Sequence, residues 1–146
     1  MDRLLVVDDE ESVLNAIRRR LERHGFDVVT APTAEEGMRI IQATEPPFDA
    51  IVTDMSIETP DSGLQILNSA FSKDVFAQVI VMTAYGSVGN AVECMRRGAF
   101  DYIEKNAPGV DVYELLTEKI DQALSQRISD LRTLERWERV ARAVER

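Results

Sequence analysis

The stretch Leu4-Leu5-Val6-Val7-Asp8-Asp9-Glu10-Glu11-Ser12, "LLVVDDEES", sets four apolar residues directly before four carboxylates. The apolar run has the length and composition of a buried strand. Carboxylates at its end repel one another and each resists desolvation, so the arrangement is unfavourable unless something compensates. Other short runs resemble the first: Phe26–Val29, Ala50–Val52, Val79–Met82 and, more weakly, Phe100–Ile103. Between them lie segments of helical period, such as "SVLNAIRRRLERHG", in which Val13, Leu14, Ile17 and Leu21 share one face. "TAEE", from Thr33 to Glu36, matches a capping box. Gly25 and Gly98, each preceded by cationic residues, read as helix stops, and His24 as a cap residue. Strands alternating with helices predict a parallel sheet covered on both faces.

A doubly wound sheet carries its site beyond the carboxyl ends of the strands. The first run ends in Asp8 and Asp9, the third in Asp54, the fourth in Thr83 and the fifth in Lys105. If strands one, three, four and five are neighbours, three carboxylates, a hydroxyl and an ammonium converge. Such oxygen ligands suit a hard cation, Mg²⁺ above all. Three negative charges are then balanced by the metal and Lys105. The carboxylates at the strand end are tolerated because the site is built to hold a metal. Glu10 and Glu11, by contrast, read as an acidic first helical turn favoured by the dipole.

Composition excludes several classes. The 146 residues suit one globular domain. No stretch approaches the roughly 20 apolar residues of a membrane span, and no cationic, hydrophobic leader is expected. The lone Cys94 rules out an internal disulfide, fits a cytoplasmic setting and reads as a small packing residue. A net charge of -9 argues against nucleic-acid binding by this segment. The charge is uneven, with six arginines against four acids over 125–146, so residues 1–124 hold a net -11.

Residues 1–124 resemble the receiver domain of two-component response regulators, most closely those of transcriptional activators. The resemblance rests on "LLVVDDE", "DAIVTD", "VMTAYGSV" and "GAFDYIEK", matched in order. It implies an α/β, flavodoxin-like (βα)₅ fold with a parallel sheet of order 2-1-3-4-5. Asp54 would be the phosphoacceptor, attacking a phosphoryl group donated by a histidine kinase or phosphotransfer protein. Asp9 and Asp54 would bind Mg²⁺ directly and Asp8 mainly through water, with the Ser56 backbone carbonyl as a further ligand. Lys105 would pair with the phosphoryl oxygens and Thr83 would swing to hydrogen-bond one of them. The backbone at Met55 and Ala84 would cradle the group, and Tyr102 would be the aromatic switch residue. The domain would be regulatory, with only self-phosphorylation and autodephosphorylation chemistry.

Two features depart from the family pattern. Asn106, not proline, follows Lys105, so a trans peptide is expected there. "DMSIETPDSG" spaces Asp54 from Gly63 one residue more widely than usual, predicting a bulged loop at Ser56. Tyr85, two residues past Thr83, would hinder water and lengthen the phosphoryl lifetime. Rival functions fit less well. A flavin module needs a Ser/Thr/Gly-rich phosphate loop where this chain has DDEE. A Mg²⁺-dependent phosphatase of the haloacid dehalogenase type needs a second Asp two residues after its nucleophile. A receiver-like scaffold without phosphorylation would have no use for the full Asp/Asp/Asp/Thr/Lys set.

The fifth helix should end near residue 124, yet helical sequence runs on to Arg146. Ile120, Leu124, Ile128, Leu131, Leu134, Trp137, Ala141 and Val144 recur at three- and four-residue steps. Residues 125–146 are therefore expected to form a helical extension, a linker or a coiled-coil segment. A homodimer through residues 120–146 is expected, with truncation at Leu124 giving a monomer. A tail folded back on the acidic receiver is the competing arrangement.

Overall fold

The computed structural model describes residues 1–84 and 88–145. Tyr85, singled out above for the phosphoryl lifetime, lies outside them. The chain runs β1 (Arg3–Val7), α1 (Glu11–Arg23), β2 (Asp27–Ala31), α2 (Ala34–Ala43), β3 (Ala50–Asp54), α3 (Ser62–Lys73), β4 (Val79–Thr83), α4 (Val88–Arg96), β5 (Asp101–Glu104) and α5 (Val112–Val144). The strands form one parallel sheet of order β2-β1-β3-β4-β5, the order the resemblance implies.

Strand alternation builds two cores. Leu5, Val7, Ile51, Val79 and Val81 point to one face, where Ile41 of α2, Ile66 and Leu67 of α3 and Cys94 of α4 cover them. Leu4, Val6, Val52, Ile80, Met82 and Ile103 point to the other, against Leu14, Ile17 and Leu21 of α1 and Leu116, Ile120 and Leu124 of α5. Cys94 is a packing residue, fully buried with its Sγ 3.6 Å from the Met55 sulfur, and burial pushes its thiol up to about 11.

The second strand is shifted relative to the expected Phe26–Val29. Its pairing with β1 starts at Asp27 opposite Arg3 and runs to Ala31 opposite Val7, so β1 decides its extent. Phe26 is instead a buried core residue. The capping box is half formed. Thr33 accepts from the Glu36 N–H at 3.1 Å, but the Glu36 carboxylate turns to Arg39. The N–H of Ala34 is taken by Glu58, from the loop after β3. At the end of α1, His24 donates its N–H to the Arg20 and Leu21 carbonyls, and Gly25 follows with φ at 98°.

Helix α5 is one unbroken helix of 33 residues, about 50 Å long at 1.5 Å per residue. Asp111 caps it, accepting from the N–H groups of Tyr113 and Glu114. The continuous helix excludes the folded-back tail. Its hold on the body reaches past Leu124 to Arg127, whose Nη1 donates to Asp74 Oδ2 at 2.6 Å and to the Phe76 carbonyl at 3.0 Å. Asp49 Oδ1 lies 3.7 Å from its Nε. Both Arg127 and Asp74 are largely buried, so removing the cation strands a carboxylate. Arg127→Ala is expected to cost about 2 kcal/mol in urea denaturation, within the usual penalty for an orphaned buried partner. A loss below a few tenths would show that the anchor is dispensable.

Candidate functional site

The carboxyl ends of β1, β3, β4 and β5 carry the singled-out residues. Asp8 follows β1 and is 2% exposed, while Asp54 closes β3 and is 8% exposed. Lys105 lies just past β5, fixed by its own N–H donating to the Thr83 carbonyl at 2.9 Å. Its ammonium sits 3.0 Å from Asp8 Oδ2 and 3.1 Å from Asp54 Oδ2, bridging the two acids. The expected trans peptide at Lys105-Asn106 is found.

Asp8 is further constrained. Its Oδ1 accepts the N–H of Glu10 at 3.0 Å, and its own N–H donates to the Ala31 carbonyl of the edge strand. Carboxylate oxygens of Asp8, Asp9 and Glu10 lie within 4.8 Å of one another, with Asp9 and Glu10 exposed. Glu10, taken from the sequence as part of an acidic first turn, occupies the N-cap position of α1 without a side-chain capping bond. Asp54 lies outside that group of three and is joined to it through Lys105, which holds both Asp8 and Asp54. All donors here are oxygens, and several are exposed to water. That fits a hard divalent ion that keeps part of its hydration shell.

Thr83, at the end of β4, is fully buried and its hydroxyl donates to the Ala84 carbonyl at 3.2 Å. Tyr102 of β5 is half-buried against the core under α2, α3 and α4. Met55 does not fit the role expected for its backbone. Its N–H donates to the Met82 carbonyl at 2.8 Å, extending the sheet ladder, and its carbonyl accepts from Gly63. The amide that faces the Asp54 carboxylate is that of Ser56, 3.4 Å from Oδ1. Ladder pairing of the residue after a strand is a tertiary matter, so spacing alone did not reveal it.

The loop after Asp54 is held by contacts in three directions. Glu58 reaches the first N–H of α2, Thr59 is tied to Asp61 and Ser62, and Asn90 of α4 donates to the Pro60 carbonyl at 3.3 Å. The segment behind the nucleophile candidate thus touches both α2 and α4.

Electrostatics follow from this crowding. Burial raises the Asp54 pKa, and Lys105 only partly opposes that. Burial alone would lower Lys105, but its bonds to Asp8 and Asp54 outweigh it and leave a net upward shift. A carboxyl whose folded pKa exceeds its unfolded value holds its proton more tightly in the fold. Its ionisation therefore costs stability above the ordinary carboxylate range and costs nothing below it. With metal chelated, Asp54→Asn is expected to raise the melting temperature at neutral pH, the gain fading as the medium is acidified. A gain that persists unchanged in acid would assign the effect to packing.

The protein-family model described as "Response regulator receiver domain" matches residues 4–117. The photosynthetic apparatus regulatory protein RegA of Rhodobacter capsulatus is 31% identical over 144 residues, covering 97% of this chain and 76% of that protein. The transcriptional regulatory protein GlrR of Escherichia coli K12 is 32% identical over 134 residues, covering 92% of this chain. The chain spans 28% of GlrR and 58% of the RegA protein of Rhodovulum sulfidophilum. Among solved structures, a receiver domain protein of Clostridium thermocellum superposes with a TM-score of 0.78 at 31% identity, covering 87% of this chain and 97% of that one. No described helix is long and apolar enough to cross a membrane.

Proposed function

The chain belongs to the response-regulator receiver family, and from that premise we propose that it is the phosphorylation switch of a two-component system, with Asp54 as phosphoacceptor. The observation that carries this reading is the Lys105 ammonium held between Asp8 and Asp54 at the ends of three strands. A histidine kinase or phosphotransfer protein supplies the phosphoryl group. An Asp54 oxygen attacks phosphorus, the P–N bond of the donor's phosphohistidine breaks, and an acyl phosphate forms on the carboxylate.

The transfer asks mainly for charge neutralisation and positioning. Mg²⁺ held by Asp9, Asp54 and the Ser56 carbonyl, and by Asp8 mainly through water, would supply part of that neutralisation. Lys105 keeps its proton and passes from the Asp54 carboxylate to the phosphoryl oxygens. The N–H groups of Ser56 and Ala84 donate to those oxygens; Ser56 takes the place first assigned to Met55. Phosphorylation adds charge beside Thr83, whose hydroxyl leaves the Ala84 carbonyl and turns toward the phosphoryl group. The space it vacates lets Tyr102 move inward, changing the surface of the fourth and fifth strand–helix units.

Residues 1–124 are the receiver and 125–146 an extension that links to an output. Transcription control is the output this reading favours, exercised in the cytoplasm through a homodimer joined at the C-terminal helix, with no direct DNA contact by this segment. Incubation with acetyl phosphate and Mg²⁺ should add one phosphoryl mass to the intact chain, and a chelator should prevent it. An unchanged mass under both conditions would overturn the switch and leave a receiver-like scaffold.

A further inference from the structure

Glu58 lies in the loop that carries the Ser56 carbonyl assigned to Mg²⁺ above, and its Oε1 accepts the N–H of Ala34 at 3.1 Å. Ala34 is the first residue of α2 and is buried. Its N–H is one of the amides that a helix start leaves without a partner inside the helix. Thr33, at the N-cap, uses its hydroxyl for the Glu36 N–H, so the Ala34 amide is met from outside. A carboxylate at this point is also favoured by the positive end of the helix dipole.

This bond joins the two sides of the site. One side is the end of β1, where Asp8 donates its N–H to the Ala31 carbonyl at 3.2 Å, three residues before Ala34. The other is the loop after β3. Lys105 ties these sides together from β5, through Asp8 and Asp54, and Glu58 ties them together at α2. A Mg²⁺ ion held by Asp9 from the first side and by Ser56 from the second needs their separation fixed, because it demands near-ideal octahedral geometry. The Ser56 carbonyl accepts no hydrogen bond among the described residues, so its place is set by its neighbours in the loop. Met55, before it, is pinned by Met82 and Gly63. After it, Ile57 packs on the core, Glu58 bonds to α2, and Pro60 accepts from Asn90 of α4 at 3.3 Å. Of those two bonds the one made by Glu58 is the shorter, lies nearer to Ser56 and has a charged acceptor.

We propose that Glu58 is a positioning residue for Mg²⁺, holding the loop on the Ala34 N–H so that the Ser56 carbonyl meets the ion. The inference rests on the metal-dependent switch read above and adds the group that sets its metal affinity. The dissociation constant for Mg²⁺ is read from the rise in melting temperature of the full chain across a Mg²⁺ titration. Glu58→Ala should raise that constant about ten-fold, the worth of one hydrogen bond to a charged group. Glu58→Gln keeps an acceptor oxygen and should stay within about three-fold of the parent. Ala34→Pro removes the donor from the other end of the bond, at a first-turn position that follows an extended Thr33 and so accepts proline. It should weaken binding as Glu58→Ala does, and the double variant should be no weaker. A Glu58→Ala chain that melts lower in chelator but binds Mg²⁺ with the parental constant would overturn the proposal and leave Glu58 a helix cap. Equal losses in Glu58→Gln and Glu58→Ala would overturn it in favour of bare charge. A parent chain that does not bind Mg²⁺ would overturn the metal site as well.

Discussion

Asp54→Asn is expected to abolish phosphoryl acceptance while leaving the chain folded. The carboxylate at the end of β3 is buried, held by the Lys105 ammonium and faced by the backbone amide of Ser56. An amide side chain keeps the volume and removes the nucleophile. Labelling by acetyl phosphate and Mg²⁺ should fall more than about a hundredfold, as loss of a nucleophile typically produces. Asp8→Asn should weaken labelling by a different route, through loss of charge that orders the site. Full labelling of the Asp54→Asn chain, measured by intact mass, would remove Asp54 from the role.

Mg²⁺ should stabilise the native state strongly. Asp8, Asp9, Glu10 and Asp54 crowd one end of the sheet, and Lys105 is the cation found between Asp8 and Asp54. An ion that binds only the folded chain adds about 2.7 kcal/mol at a hundredfold excess over its dissociation constant. Urea denaturation with and without Mg²⁺ should show that shift in midpoint. Asp9→Asn should blunt it and should itself raise the metal-free melting temperature, because it relieves repulsion. Indifference of the midpoint to Mg²⁺ would contradict the ligand set.

Much of this architecture was legible in the residues because periodicity reports burial. Leu4–Val7 and Val79–Met82 are continuous apolar runs, as strands buried on both faces require, and both proved to be strands. The acids at strand ends stood out because their placement is costly, and the structure brings Asp8, Asp54 and Lys105 together. Less visible were features that depend on which neighbour a group meets. Arg127 reads as one more arginine in a charged tail, and its partners Asp49, Asp74 and Phe76 lie more than fifty residues away in sequence. Met55 and Ser56 differ only in which amide the β4 carbonyl of Met82 claims. Glu58 caps a helix from another loop, which no local cap pattern encodes. The edge strand β2 took its limits from β1 rather than from its own apolar run.

The central claim is that the phosphoryl group travels to one carboxylate, and locating the adduct tests it most directly. Borohydride reduces an aspartyl phosphate to homoserine, leaving a mark that survives digestion. After reaction with acetyl phosphate and Mg²⁺, reduction and peptide mapping, homoserine is expected at position 54 and nowhere else. Homoserine at position 8 or 9, or a phosphate carried by a hydroxyl side chain such as Thr83, would contradict the account.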